Sequence, residues 1–238
     1  MKNKTVIITG ASKGIGEELA KYFAQKKYNL FLLARNALLL RNLKYSLEEQ
    51  YAGACVEYRE LDITDTDELN FVLKTYCKTH ESIDVLINNA GFVKRGTSEI
   101  DNSDLNEMVE VNLKGLMNTT NIVVPFMKKQ GYGQIINMSS RNAKISRVFL
   151  GVYAATKAGV LAYNEALYKE LMEYGIKVTA LVPGFVNTQM TSDVPLDKKL
   201  LIQPEDISYF VDFILGLPDR VALKEICFEA KPQVGKYA

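Results

Sequence analysis

Short, wholly apolar runs alternate along the chain with longer segments in which apolar residues recur every three or four positions. Thr5-Val6-Ile7-Ile8-Thr9 is rich in β-branched residues and too short for a stable helix, and it predicts a buried strand. Residues 15–27 then place Leu19, Ala20, Phe23 and Ala24 on one helical face. Asn29 to Ala34 (NLFLLA) predicts a second strand, and residues 36–50 a helix carrying Leu39, Leu40, Leu43 and Leu47. A strand at 54–60 and a helix at 65–79 follow, with Thr64 and Asp67 in a capping arrangement. Residues 84–88 (DVLIN) predict the fourth strand.

Beyond that point the helices lengthen. Residues 103–129 read as one helix, bent before Pro125. A strand is expected at 134–138, a long helix at 150–174 ended by Gly175, and a strand at 177–182. A helix at 204–215 and a short strand at 225–228 complete the pattern. No repeat, low-complexity tract or linker interrupts it. Fully apolar strands alternating with amphipathic helices imply an α/β, doubly wound parallel sheet covered on both faces. The expected unit is one domain over 1–238, binding its ligand at the carboxyl ends of the strands.

Composition narrows the function. The 238 residues carry 29 Lys+Arg against 28 Asp+Glu. That balance argues against a nucleic-acid binder working through bulk charge. Cys55, Cys77 and Cys227 are odd in number and widely spaced, which excludes a disulfide scaffold and reads as free, buried thiols in a reducing compartment. With His80 as the sole histidine, a two-histidine metal site is impossible. No apolar run approaches the roughly 18 residues of a membrane span, and the start of the chain shows no signal-peptide core. A cytoplasmic protein without membrane partner is expected.

The first strand runs into Thr9-Gly10-Ala11-Ser12-Lys13-Gly14-Ile15-Gly16 and then a helix. Glycines at this spacing let the backbone amides around Gly10, Ser12, Lys13, Gly14, Ile15 and Gly16 approach an anion at a helix N-terminus. The same residues match the hydrolase pattern GxSxG. Geometry rejects it. His80 precedes the fourth strand and Ser12 follows the first, which puts them on opposite rims of a parallel sheet, about 15–20 Å apart, whereas a triad needs hydrogen-bond contact.

The second strand ends at Ala34-Arg35, where an acidic residue would bind an adenosine ribose. A guanidinium there pairs instead with a 2′-phosphate, and Lys13 adds a second positive charge. Together they favour NADP(H) over NAD(H). The fifth strand ends at Ser139-Ser140, and Tyr153 and Lys157 follow one helical turn apart. A nearby ammonium favours tyrosinate and is expected to lower the tyrosine pKa from about 10. Ser140 can hydrogen-bond the same substrate oxygen, and Asn112 offers an anchor for a water or a backbone group.

Taken together, TGASKGIG at 9–16, Asp62, NNAG at 88–91, Asn112, Ser140, YAATK at 153–157 and PGFVNTQM at 183–190 resemble the short-chain dehydrogenase/reductase superfamily. The resemblance implies a seven-stranded parallel sheet in the order 3-2-1-4-5-6-7. By the same resemblance, Tyr153 protonates a carbonyl oxygen, Lys157 binds the nicotinamide ribose, Ser140 polarises the carbonyl and Asn112 holds a water in a proton relay. Asp62 and Ile63 would contact adenine, and Asn89, Ala90 and Gly91 would line the cofactor. Pro183, Gly184, Val186 and Thr188 would frame the nicotinamide. The pocket would be lined by Phe92, Val93, Arg141, Phe149, Phe185 and Met190, under a loop of about fifteen residues between Thr188 and Pro204 short enough to leave it open. Arg141 and Lys94 are candidates to meet an acidic substrate.

The implied activity is NADPH-dependent reduction of a small ketone or aldehyde, with a 3-oxoacyl thioester reductase as alternative. A non-catalytic NADP(H)-binding regulator is the alternative of another class, and the intact Asn112, Ser140, Tyr153 and Lys157 set argues against it. The tail, Phe228-Glu229-Ala230-Lys231-Pro232-Gln233, departs from the glycine-rich turn common in the family. That segment often lies in a tetramer interface, so the expected homo-oligomer is left open between homodimer and homotetramer.

Overall fold

The computed structural model describes residues 3–234; residues 1–2 and 235–238, the two ends of the expected 1–238 span, lie outside it. Seven strands form one sheet: β1 (Thr5–Thr9), β2 (Asn29–Ala34), β3 (Cys55–Glu60), β4 (Val85–Asn88), β5 (Gly133–Met138), β6 (Ile176–Pro183) and β7 (Glu225–Phe228). Their order is β3-β2-β1-β4-β5-β6-β7 and every pairing is parallel, as the motif resemblance implies. The helices are α1 (Gly14–Gln25), α2 (Ala37–Gln50), α3 (Thr66–Thr79), α4 (Asn102–Val109), α5 (Leu116–Gln130), α6 (Gly151–Leu171) and α7 (Pro204–Gly216).

Successive strand residues point to opposite faces, and both faces are filled. Val6, Ile8, Leu30 and Leu32 pack with Leu19 and Phe23 of α1, Leu40 and Leu47 of α2, and Val211 of α7. Ile7, Phe31 and Leu33 turn the other way, onto Leu69 and Leu73 of α3, Val123 of α5 and Leu167 of α6. No described helix is long and apolar enough to cross a membrane. All three cysteines are free, but only Cys77 is buried. Cys55 and Cys227 are exposed because they lie on β3 and β7, the two edges of the sheet.

Two local expectations change. The N-cap of α3 is Asp65, whose carboxylate accepts from Glu68 N; the Thr64 hydroxyl donates to Asp62 instead. The expected 103–129 helix is divided, and not at Pro125, which sits inside α5. A π-helical stretch, Glu110–Gly115, separates α4 from α5. Its wider turn carries Asn112, whose amide is drawn to the backbone of Phe92, and Gly115, against which Ile63 packs.

Beneath the carboxyl rim runs a buried amide ladder. Asn88 Nδ2 donates to Thr120 Oγ1 and to Asn137 Oδ1, both at 2.9 Å. Asn137 Nδ2 donates to Asn164 Oδ1 at 3.0 Å, and Asn164 Nδ2 to the Lys224 carbonyl at 3.0 Å. It ties β4, β5, α6 and the approach to β7 together across a region where water cannot substitute. Replacing Asn137 with alanine strips Asn88 and Asn164 of a partner at once. The expected cost is about 2–3 kcal/mol, measurable as a lower urea midpoint with unchanged slope.

Candidate active site

At the topological switch point, β1 is flanked by β2 and β4, and the loops after β1 and β4 meet. Thr9 Oγ1 accepts from Asn89 N at 3.1 Å and Ala90 N at 3.2 Å. Asn89 Nδ2 donates to the Thr9 and Gly10 carbonyls, both at 3.1 Å. Gly10 has φ +67°, and a Cβ there would fall 2.7 Å from Ala90 Cα. A Cβ on Gly16 would fall 2.2 Å from the Gly10 carbonyl oxygen. The glycines are therefore needed for close packing of turn on loop, and Gly14 and Gly16 leave backbone amides of the first turn of α1 uncovered by their own side chains. Ser12, Lys13 and Ile15 lie in this turn, and Gly14 abuts the Thr188 side chain from the far wall. His80, by contrast, caps the end of α3 ahead of the amino end of β4, stacked on Tyr76 and 3.0 Å from Glu57.

Arg35 follows β2 and is exposed, with Asp62 at 3.8 Å and Glu107 at 3.3 Å. Asp62 also accepts from Thr64 N at 2.9 Å, which fixes the turn holding Ile63. Lys13 Nζ donates to Gln189 Oε1 at 2.9 Å, so this second candidate base bonds to the loop that follows Thr188.

Ser140, Tyr153 and Lys157 come together, all buried, at the end of β5 and on the first turns of α6. Ser140 Oγ accepts from Asn142 N at 3.2 Å and is hydrogen-bonded to Tyr153. Lys157 Nζ donates to the Met138 carbonyl at 2.9 Å and stands 6.0 Å from the Tyr153 ring centre. Burial sets the electrostatics. It lowers the Lys157 pKa to about 8. It raises that of Tyr153, with the Ser140 hydrogen bond pulling partly back. The expected lowering of the tyrosine is not found, because the cost of burying a tyrosinate outweighs the Ser140 hydrogen bond.

Asn112 is buried, and its side chain anchors a backbone group, one of the two roles its position suggests. Its Oδ1 accepts from Phe92 N at 2.9 Å, and its Nδ2 donates to Phe92 O at 2.9 Å and Thr156 Oγ1 at 3.3 Å. The side chain is spent on fixing the loop after β4 to α6, and Gly91 lies against it and Lys157. Pro183, Gly184, Val186 and Thr188 form the opposite wall, with Val186 bridged to Ile202.

The expected pocket residues separate. Phe92 packs into the second face of the core, next to Val93, and Met190 is exposed. Phe185 is buried beneath the Arg147 guanidinium, 4.4 Å from the ring centre. Phe149 is exposed in a left-handed conformation, φ +64°, its carbonyl accepting from Gly96 N at 2.7 Å. Arg141 is 5% exposed and paired with Glu229 at 2.5 Å, so it faces the tail rather than a substrate, and Lys94 is paired with Asp104 on the surface. A cleft of about 440 Å³ lies on the segment that leads into α6, lined by Arg95, Ile145, Arg147, Val148 and Phe149 among others. Of these, only Phe149 was legible in the sequence. The loop after Thr188 is tied down by Arg95–Asp193 at 2.7 Å and by Lys198 Nζ to the Thr191 carbonyl at 2.6 Å.

A short-chain dehydrogenase family model matches residues 4–199. The chain belongs to the short-chain dehydrogenase family. It is an oxidoreductase of that family, similar to an uncharacterized oxidoreductase of Staphylococcus saprophyticus, 31% identical over 245 aligned positions and covering 98% of each chain. Among solved structures it is similar to the alcohol dehydrogenase of the archaeon Thermococcus sibiricus complexed with 5-hydroxy-NADP. That likeness has a TM-score of 0.88 and 28% identity, over 99% of this chain and 100% of that one. A β-ketoacyl-[ACP] reductase from Bacteroides thetaiotaomicron gives a TM-score of 0.85 and 31% identity, over 98% of this chain and 99% of that one.

The buried ammonium makes a specific demand on stability. Lys157 binds fewer protons folded than unfolded between pH 8 and about 10.5, so stability rises through that window and its charge is a burden below it. Lys157→Met is expected to raise the unfolding free energy at pH 7 by about 1–3 kcal/mol. In denaturant titrations that advantage shrinks as the pH approaches 10.

Proposed function

We propose that this oxidoreductase uses NADP(H) to interconvert a small ketone or aldehyde and its alcohol. The observation that carries the reading is the buried Ser140–Tyr153–Lys157 cluster, at the end of β5 and the start of α6, with Gly91 of the loop after β4 against Lys157. A cofactor fits the residues present. An ammonium has three donors, Lys157 meets one acceptor among the described residues, and the hydroxyls of a nicotinamide ribose would satisfy the rest. The glycine-rich start of α1 suits a pyrophosphate, with Asn89, Ala90 and Gly91 beside it and Asp62 and Ile63 toward the adenine.

When bound, the nicotinamide supplies the hydride. Tyr153 is neutral at physiological pH and holds its phenolic proton, which it delivers to the carbonyl oxygen as the carbon is reduced. Ser140 donates a hydrogen bond to the same oxygen and orients it. Lys157 orients the ribose, and pairing it there with hydroxyl acceptors favours its charged form, which in turn eases proton loss from Tyr153. In the oxidative direction each step reverses.

NADP(H) over NAD(H) is supported by Arg35 after an acid-free strand end. Its pairs with Asp62 and Glu107 are exposed and worth little, so a 2′-phosphate can displace them. The 5-hydroxy-NADP bound to the Thermococcus sibiricus relative agrees with this. A 3-oxoacyl thioester is the second reading, favoured by the β-ketoacyl-[ACP] reductase likeness and by apolar Ile145, Val148 and Phe149 beside Arg95 and Arg147 in the cleft. Assembly between copies is supported by Tyr209 and Phe213, exposed one turn apart on α7.

Absorbance at 340 nm across ketones, diketones, aldehydes and acetoacetyl thioesters, with NADPH and NADH in parallel, tests the reading. NADPH oxidation with at least one carbonyl is expected, and a thioester preference selects the second reading. Tyr153→Phe should lose turnover while still binding NADPH, as followed by nicotinamide fluorescence. Arg35→Asp should weaken NADPH far more than NADH; an unchanged preference removes Arg35 from the cofactor argument.

A further inference from the structure

The tail after β7 turns back onto this chain's own site. Gly184 N donates to the Phe228 carbonyl at 2.8 Å as the last strand ends. Glu229 then pairs with Arg141, the residue next to Ser140, at 2.5 Å. The tail continues through buried Ala230 and a short helical turn, Lys231–Gln233, that carries Gln233 inward to 3% exposure. Gln233 Oε1 accepts from Phe185 N at 2.8 Å. The fit is close: a Cβ on Gly184 would lie 2.3 Å from Gln233 Oε1 and 3.1 Å from Glu229 Cα. One five-residue segment thus grips two walls of the expected site, the Ser140 side through Arg141 and the 183–188 side through Phe185.

We propose that Glu229 and Gln233 are positioning residues, which set the distance between the hydroxyl pair Ser140–Tyr153 and the wall expected to frame the nicotinamide. The inference rests on the proposed NADP(H) function. Its physical content is that neither wall is braced there by the sheet alone. Residues 184–188 follow the end of β6, and Arg141 sits in a single helical turn after β5. A buried backbone N–H at Phe185 needs an acceptor, and a buried guanidinium needs an anion. The tail supplies both, and so fixes the two walls relative to each other. A misplacement of about 1 Å between hydride donor and carbonyl costs up to about a hundredfold in rate.

The test is Gln233→Met, which keeps the side chain's bulk and removes the acceptor, together with Glu229→Gln. The carbonyl found in the 340 nm panel is used, with NADPH and with NADPH deuterated at the transferred position. Binding of 2′,5′-ADP reports the distant adenosine half of the groove and serves as the folding control. Expected for Gln233→Met is a fall in kcat of about tenfold or more, a larger deuterium isotope effect on kcat, and unchanged 2′,5′-ADP affinity. A merely structural role would lower the active fraction and leave the isotope effect as in the unaltered chain. Wild-type kcat and isotope effect in folded Gln233→Met overturn the inference. If Gln233→Met does not fold, Glu229→Gln is held to the same two readings. Failure of the unaltered chain to bind or oxidise NADPH overturns the proposed function, and this inference with it, and is distinguished by appearing without any substitution.

Discussion

Everything at this site depends on bringing the carboxyl ends of β1, β4, β5 and β6 to one rim of a sheet that is buried on both faces. Parallel pairing does this without exception across the seven strands. Once the rim exists, backbone must meet backbone closely. Thr9 Oγ1 serves the amides of Asn89 and Ala90, and the glycine turn fits only because Gly10 and Gly16 lack a Cβ. The glycine-rich start of α1 is a consequence of that packing.

The chemistry is built at the expense of local comfort. A lysine ammonium with 4% exposure and one carbonyl partner is an unfavourable thing to bury. Phe149 adopts a left-handed backbone, and α4 passes into α5 through a π-helical stretch. The π-helical stretch meets the site through Asn112, which lies against Gly91 as Lys157 does. The asparagine ladder below the rim supplies rigidity, since each amide is locked by its neighbours. Asn112 adds to it by clamping the loop after β4 to α6. The residue therefore shapes the site through the positions of Phe92 and Thr156.

The tail gives the last strand a second task. In sequence, Glu229 to Gln233 is a departure from a familiar glycine-rich turn and suggests an altered contact between copies. In the fold it belongs to the interior of the same chain. It accounts for Arg141, a positive charge next to Ser140 that the sequence offered as a partner for substrate. A guanidinium at that depth is held by the nearest buried carboxylate.

Hydrophobic periodicity and glycine spacing were enough to determine the seven strands, their alternation with helices and the rim on which a ligand sits, because those signals are local and repeat along the chain. The motif residues Ser140, Tyr153 and Lys157 were legible for the same reason: the turn of one helix puts two of them on one face. What the chain order could not show is which distant side chains meet. Arg141 with Glu229, Gln233 with Phe185, Arg95 with Asp193 and the Asn88–Asn137–Asn164 ladder are separated by tens of residues, and each looks like ordinary surface or strand composition until packing makes it neighbourly. The pKa directions belong to the same class. Proximity of Tyr153 and Lys157 suggests mutual charge stabilisation, but burial penalises both ions, and burial is decided only when the tertiary structure closes over them.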